Sequence, residues 1–316
     1  MFLYEKIILF LHFLFHYINN SPILKISLET LNDDNFICTR ICFGSYPQCF
    51  NLQIDFQSFY VMIYNKTTAL PAFTKAFDIF NSTTFSLVNK NNVNIKYPTY
   101  VTEAYGAIEQ ISIDNIFNIS DFKFVLVNRT ISKFKFDGII GLGYLSGIGD
   151  PQYFFLEQLY TQKIISHLVF RFEFSSYKTT QIFFGDVPTI IIKDYYHYGN
   201  CDLVKQKYND SEVYNNNWEC KLISLQLSKT HQKIREVISV IFSLNTSSLV
   251  LPYHLLPKIK IEYQEMLDQG TCWIDSNQNV SSLFCSVSQS IPTLVIDFYR
   301  WRVTFPESMW MHSTLV

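Results

Sequence analysis

The chain has no excess of basic charge: 25 Lys and Arg stand against 27 Asp and Glu, a formal net charge of −2. Without a basic face, nucleic-acid binding is not expected as its main role. No stretch reaches the ~20 uninterrupted apolar residues that a membrane-spanning helix needs, so no membrane anchor is seen. The cysteines lack zinc-type CxxC spacing and the scattered histidines form no HExxH, which leaves no recognisable zinc site. There is no Gly-x-Ser-x-Gly elbow, and no cysteine has a recognisable histidine-bearing context, so serine and cysteine hydrolysis have little support. The glycines of Gly141-x-Gly143-x-x-x-Gly147 have the wrong spacing for a dinucleotide loop and no βαβ repeat around them. No metal or cofactor is expected.

What the sequence does have is apolar and aromatic bulk. Hydrophobic residues make up 48% and aromatics 17%, with 29 Phe and 20 Tyr, enough to bury a large core in 316 residues. Met1 to Lys6 precede an apolar run from Ile7 to Phe15 that fits the hydrophobic part of a secretory leader, with residues 1–18 as the expected signal peptide. A buried N-terminal segment is the plainer alternative. Eight Asn-x-Ser/Thr sequons, at Asn19, Asn65, Asn81, Asn118, Asn128, Asn209, Asn245 and Asn279, agree with secretion, although so Asn-rich a chain generates some by chance. Seven cysteines leave one odd thiol if the others pair; Cys201 with Cys220 and Cys272 with Cys285 are the favoured bridges. For Cys42 and Cys49, packing and a disulfide both stay open.

The dominant pattern is β. Short runs rich in Val, Ile, Phe and Tyr occur at residues 50–54, 60–64, 85–88, 108–113, 122–127, 168–174 and 181–184. Asn, Ser, Gly and Pro separate them at intervals of roughly 8–12 residues, as in all-β sandwiches and barrels. Pro151 to Lys163 and Leu256 to Leu267 are the best helix candidates. The polar stretch Asn200 to Asn217 reads as a loop or boundary between two β-rich halves. Phe136-Asp137-Gly138-Ile139-Ile140-Gly141-Leu142-Gly143 is an apolar strand entering a glycine-spaced turn, and alone it says no more than that.

In order and spacing, however, a series of segments resembles the pepsin-like aspartic proteases. Gly44-Ser45-Tyr46-Pro47-Gln48-Cys49-Phe50 is similar to the family's Gly-Thr-Pro-Pro-Gln-x-Phe hairpin, and Asp55, in Ile54-Asp55-Phe56-Gln57-Ser58, stands where the family has Phe-Asp-Thr-Gly-Ser. Phe77 to Phe85 resembles the segment before the flap, and Tyr97 falls at the flap tyrosine. Phe136 to Gly143 matches Phe-Asp-Gly-Ile-x-Gly-Leu-Gly, Gly185-Asp186 follows a Gln-Ile-Phe-Phe strand, and Trp218 to Leu225 resembles the strand opening the second lobe. Val240 to Leu249 sits at the second Asp-Thr-Gly-Thr-Ser loop, and Cys285 with Ile291 to Phe298 at the late Cys…Leu-Pro segment.

The resemblance covers roughly residues 36–316 and implies an all-β, bilobal double barrel with few short helices. The expected lobes span residues 19–190 and 191–316. Past its second loop the family continues into a hydrophobic-hydrophobic-Gly strand; none appears before Val316, so the second lobe is expected to be incomplete.

The same resemblance implies a site. Two carboxylates share one proton: the ionised one activates water and the protonated one donates to the scissile carbonyl. This sequence keeps Asp55 but puts Ser243 at the second position, and a hydroxyl cannot take that share. Gln57 and Asn245 replace the loop glycines, and Phe56 and Leu244 the threonines, so both loops are expected to shift. Ser58, Tyr97 and Thr246 are the expected substrate-binding residues. The resulting expectation is a secreted, catalytically inactive homologue that binds an extended peptide or protein segment in its cleft, located extracellularly or in a lysosome- or vacuole-like compartment. The alternative is an active aspartic endopeptidase using Asp55; a decayed chain with no ligand is the plainest account.

Overall fold

The computed structural model of the chain describes residues 23–31, 36–66, 75–89, 101–114, 117–130, 136–143, 150–173, 181–185, 205–208, 211–214, 218–227, 233–235, 239–242, 255–277, 280–285, 294–298 and 302–305. It divides into two compact units, Met1–Tyr195 and Tyr196–Val316. Strands dominate both. Among the described residues no helix is long and apolar enough to cross a membrane.

The first unit contains β1 (Leu24–Ser27), β2 (Glu29–Leu31), β3 (Phe36–Phe43), β4 (Gln48–Asp55), β5 (Val61–Tyr64), β6 (Ser86–Asn89), β7 (Val101–Ile113), β8 (Phe117–Thr130), β9 (Gly138–Gly141), β10 (Phe170–Glu173) and β11 (Gln181–Phe184). Eight of them form one sheet in the order β2-β3-β4-β9-β5-β8-β7-β6, and β3 also pairs with β7. That extra pairing bends the sheet towards closure. β1, β11 and β10 form a separate antiparallel sheet. The aromatic excess becomes core here: Phe43 meets Phe50, Phe77 and Phe124 with ring centroids 5.2–6.3 Å apart, all edge-on. Such contacts add ~0.5–1.5 kcal/mol each beyond the area they bury.

The first expected helix forms as a 3-10 turn, Pro151–Tyr153, followed by α1 (Phe155–Thr161). Asp150 caps the 3-10 turn by accepting from the Gln152 amide, and Pro151 sits where its missing N–H costs nothing. α1 docks through Gln158, whose amide accepts from Lys123 N at 2.6 Å and donates to Lys123 O at 2.7 Å. One side chain thus satisfies a backbone donor and acceptor that β8 leaves open.

The second unit contains β12 (Lys205–Tyr208), β13 (Ser211–Tyr214), β14 (Glu219–Lys221), β15 (Ser224–Leu227), β16 (Lys233–Ile234), β17 (Ser239–Ile241), α2 (Leu256–Asp268), β18 (Cys272–Asn277), β19 (Val280–Cys285), β20 (Leu294–Asp297) and β21 (Arg302–Phe305). α2 buries Glu262, Tyr263 and Met266, and the last two pack in a core with Leu225, Ile234, Leu255 and Ile296. β15 and β20 are stapled by Asp297, which accepts from Ser224 Oγ at 2.8 Å and from Arg302 Nε at 2.5 Å.

Asn200 to Asn217 does not read out as plain loop. β12 and β13 pair antiparallel, with Lys205 opposite Tyr214 and Tyr208 opposite Ser211. Three cystines are engaged: Cys42–Cys49, Cys272–Cys285 and one that includes Cys220. Cys201, the expected partner of Cys220, lies outside the described residues. Cys38 is the free, buried thiol among them.

Candidate functional site

Asp55 is the last residue of β4, and its position follows from the two strands that meet there. β9 inserts between β4 and β5, parallel to the first with Asp55 opposite Gly141, and antiparallel to the second. The insertion is tight enough to dictate glycine. A Cβ on Gly138 would lie 2.2 Å from Met62 O, and one on Gly141 would lie 2.5 Å from both Ser58 O and Phe59 C. These are backbone atoms with no rotamer to escape into.

After Asp55 the chain turns, and the Gly141–Gly143 segment clamps that turn from behind. Gly141 N donates to Tyr60 O at 3.0 Å, Leu142 N to Asp55 O at 2.7 Å and Gly143 N to Ser58 O at 2.7 Å. Asp55 is 2% exposed, and its Oδ1 accepts from Gln57 N at 2.9 Å, an Asx turn. A charge-assisted bond from a backbone amide holds such a carboxylate in one rotamer.

Gln57 stands in the loop with its amide bonded to Asp55. It is absent from the residues with positive φ, so the peptide after Phe56 is made without the left-handed backbone that would favour glycine. The loop keeps its amide bond to Asp55 with Gln57 in place of the glycine. Phe56, in place of a threonine, turns towards β10, with ring centroids 5.8 Å from Phe170 and 5.3 Å from Phe172. Aromatic packing anchors the loop at this position, where the resembled family carries a threonine. Ser58 is fully buried, and its hydroxyl donates to Tyr60 O at 3.3 Å, inside the loop.

Asp137, read in the sequence only as part of its motif, supports the loop from the start of β9. Its Oδ2 accepts from Asn51 N at 2.9 Å and its Oδ1 from Lys75 N at 2.7 Å, so one buried carboxylate ties the start of β9 to β4 and to the chain before Phe77. Its place directly before Gly138 was the available signal. Glu109 is likewise buried: its Oε1 accepts from Thr84 Oγ1 and from Gln110 N, and its Oε2 has no partner among the described residues. Cys38 lies one strand from the loop. Burial first, then the charges of Glu29 and Asp137, push its thiol up to about 11, so it is no nucleophile near neutral pH.

Of the expected site residues, Asp55 and Ser58 stand together on this loop. Ser243, Thr246 and Tyr97 lie outside the described residues, as do Leu244 and Asn245. Among the described residues no group of three His, Cys, Asp or Glu side chains could hold a metal ion.

A buried aspartate on a turn after a strand, backed by an inserted Ile-Ile-Gly strand, is the arrangement of one lobe of an aspartic protease. Residues 37–314 match the family of eukaryotic aspartyl proteases, and the chain belongs to that family. No curated protein matches it.

Proposed function

We propose that the chain is a secreted pseudoprotease that binds an extended peptide or protein segment in the cleft of its family and does not cut it. The observation that carries the reading is Ser243 at the place of the second catalytic Asp. Asp55 is retained, buried and hydrogen-bonded, but the family's chemistry needs two carboxylates, the charge of one keeping a proton on the other, and a serine at the second position carries no such charge. General acid–base assistance alone is worth ~10²–10⁴-fold, and members of a coupled set fail together. Ser243 offers neither an ionised base nor a strong acid.

Secretion draws support from the disulfides, which persist in oxidising compartments, and from the apolar run at Ile7 to Phe15. An extended ligand would be held through main-chain hydrogen bonds, with Tyr97 closing over it and Thr246 facing it, while Ser58, expected to bind substrate but fully buried, holds the Asp55 loop in shape beneath. One observation favours the other reading, an active endopeptidase: the Asp55 loop is built and clamped as a working loop would be. The binding half is tested by passing a mixed peptide pool over the immobilised chain and identifying what stays. Retention of intact peptides sharing a sequence preference supports the reading; a folded chain that retains none contradicts it.

A further inference from the structure

We propose that Asn81 and Asn118 are N-glycosylation sites of the first unit, whereas Asn65 and Asn128 stay unmodified; this rests on the secretory reading. The four sequons look alike in sequence but not in the fold. Asn118 opens the sequon Asn118-Ile119-Ser120 on β8. Its side chain and that of Ser120 are exposed while Ile119 between them is 1% exposed. Strand alternation therefore puts the acceptor amide and its required hydroxyl on one solvent-facing side.

Asn81 ends the 3-10 turn Ile79–Asn81 and is exposed, as is Thr83 two residues on. Phe80 beside it is 87% exposed, so the turn stands clear of the body. The one bond from Asn81 Nδ2, to Asp78 Oδ2, is a long 3.3 Å, and Asp78 is already paired with Lys66 at 2.6 Å. Losing it costs the fold little.

Asn65 is the opposite case. It is 7% exposed, its backbone N donates to Val127 O, and its Nδ2 donates to Asn128 Oδ1 at 2.9 Å. The two sequon asparagines are each other's partners at the end of the β5–β8 pairing, and Asn128 is also hydrogen-bonded to Tyr105. A glycan on Asn65 would replace a proton of the very Nδ2 that donates to Asn128 and has no exit from this packing, and one on Asn128 would crowd the Asn65 and Tyr105 side chains held against it.

The transfer needs a lipid-diphosphate-linked oligosaccharide. The bond from its anomeric carbon to Asn Nδ2 forms, the anomeric carbon–oxygen bond to the diphosphate breaks, and the displaced amide proton leaves with the lipid diphosphate.

The test directs the full chain into the secretory pathway with a borrowed leader, so that the site map does not depend on residues 1–18. Secreted protein is treated with peptide N-glycosidase in heavy-oxygen water, and labelled aspartates are located by mass spectrometry. Label is expected at positions 81 and 118 and absent at 65 and 128. An unlabelled 81 or 118, or label at 65 or 128, overturns the proposal. Asn81→Gln and Ser120→Ala are each expected to remove one glycan. Thr67→Ala, which destroys the Asn65 sequon but spares its hydrogen bond, removes none. Running the chain with its own N-terminus separates the two ideas: glycans with the borrowed leader alone would sink the secretory reading and leave the map standing.

Discussion

Gly141→Ala is the substitution whose cost can be worked from the structure. The added methyl carbon would lie 2.5 Å from Ser58 O and from Phe59 C, and 2.6 Å from Ser58 C. Carbon atoms in contact rest about 3.5–4.0 Å apart, so one strand must move by about 1 Å. Overpacking a tight site costs ~1–3 kcal/mol, sometimes more, and here no side chain can swing aside. The movement also strains the bonds from Gly141 N to Tyr60 O and from Leu142 N to Asp55 O. We expect the upper end, ~3 kcal/mol. With a urea slope of ~2 kcal/mol per M, the midpoint falls by ~1.5 M.

The sequence supplies an internal reference for that measurement. Trp218, Trp273, Trp301 and Trp310 all fall in the second unit, so tryptophan fluorescence follows that unit while circular dichroism follows both. Gly141→Ala should lower the dichroism transition and leave the fluorescence transition in place. Gly270→Ala should lower the fluorescence transition, and with it only the second unit's share of the dichroism change, more mildly. Gly270 has φ +68° with open space around it, so the cost is only the ~1 kcal/mol of a left-handed alanine. If Gly141→Ala leaves both transitions unmoved, the inserted-strand account of the Asp55 loop is wrong.

Two further outcomes follow from groups away from the loop. Cys38 should resist alkylation in the native chain and react on unfolding; because its folded thiol is raised from 9.0 to about 11, the unfolded chain loses that proton first, so stability falls as pH rises from about 9 towards 11, measured as denaturation midpoint against pH. Replacing Cys272 and Cys285 by Ser opens a loop of sequence separation 13 and should cost the second unit ~3 kcal/mol, read from its tryptophan transition.

The parts of the fold legible in the sequence are those fixed by local constraint. Gly138 and Gly141 could be read because a close backbone approach leaves no alternative residue, and the turn of Pro151 because Asp150 and the proline announce it. Cys272–Cys285 was likewise foreseeable from spacing. What escaped depends on distant partners. Phe56 lands on Phe170 and Phe172, more than a hundred residues away, and nothing local says that an aromatic will replace a threonine's role. The Cys42–Cys49 bridge depends on register, with the two residues directly opposite across the β3–β4 hairpin. The β12–β13 hairpin hid in polar composition, because its two strands carry no run of apolar residues to mark them in the sequence.

The pseudoprotease reading turns on whether Asp55 has a working partner. The direct measurement is peptide-bond cleavage in a mixed pool by the purified chain between about pH 3 and about pH 7, beside Asp55→Asn, with products read by mass spectrometry. The account predicts no cleavage by either form while both remain folded. Cleavage by the natural chain that vanishes in Asp55→Asn would contradict it, and would mean that a second acid serves the site in place of Ser243.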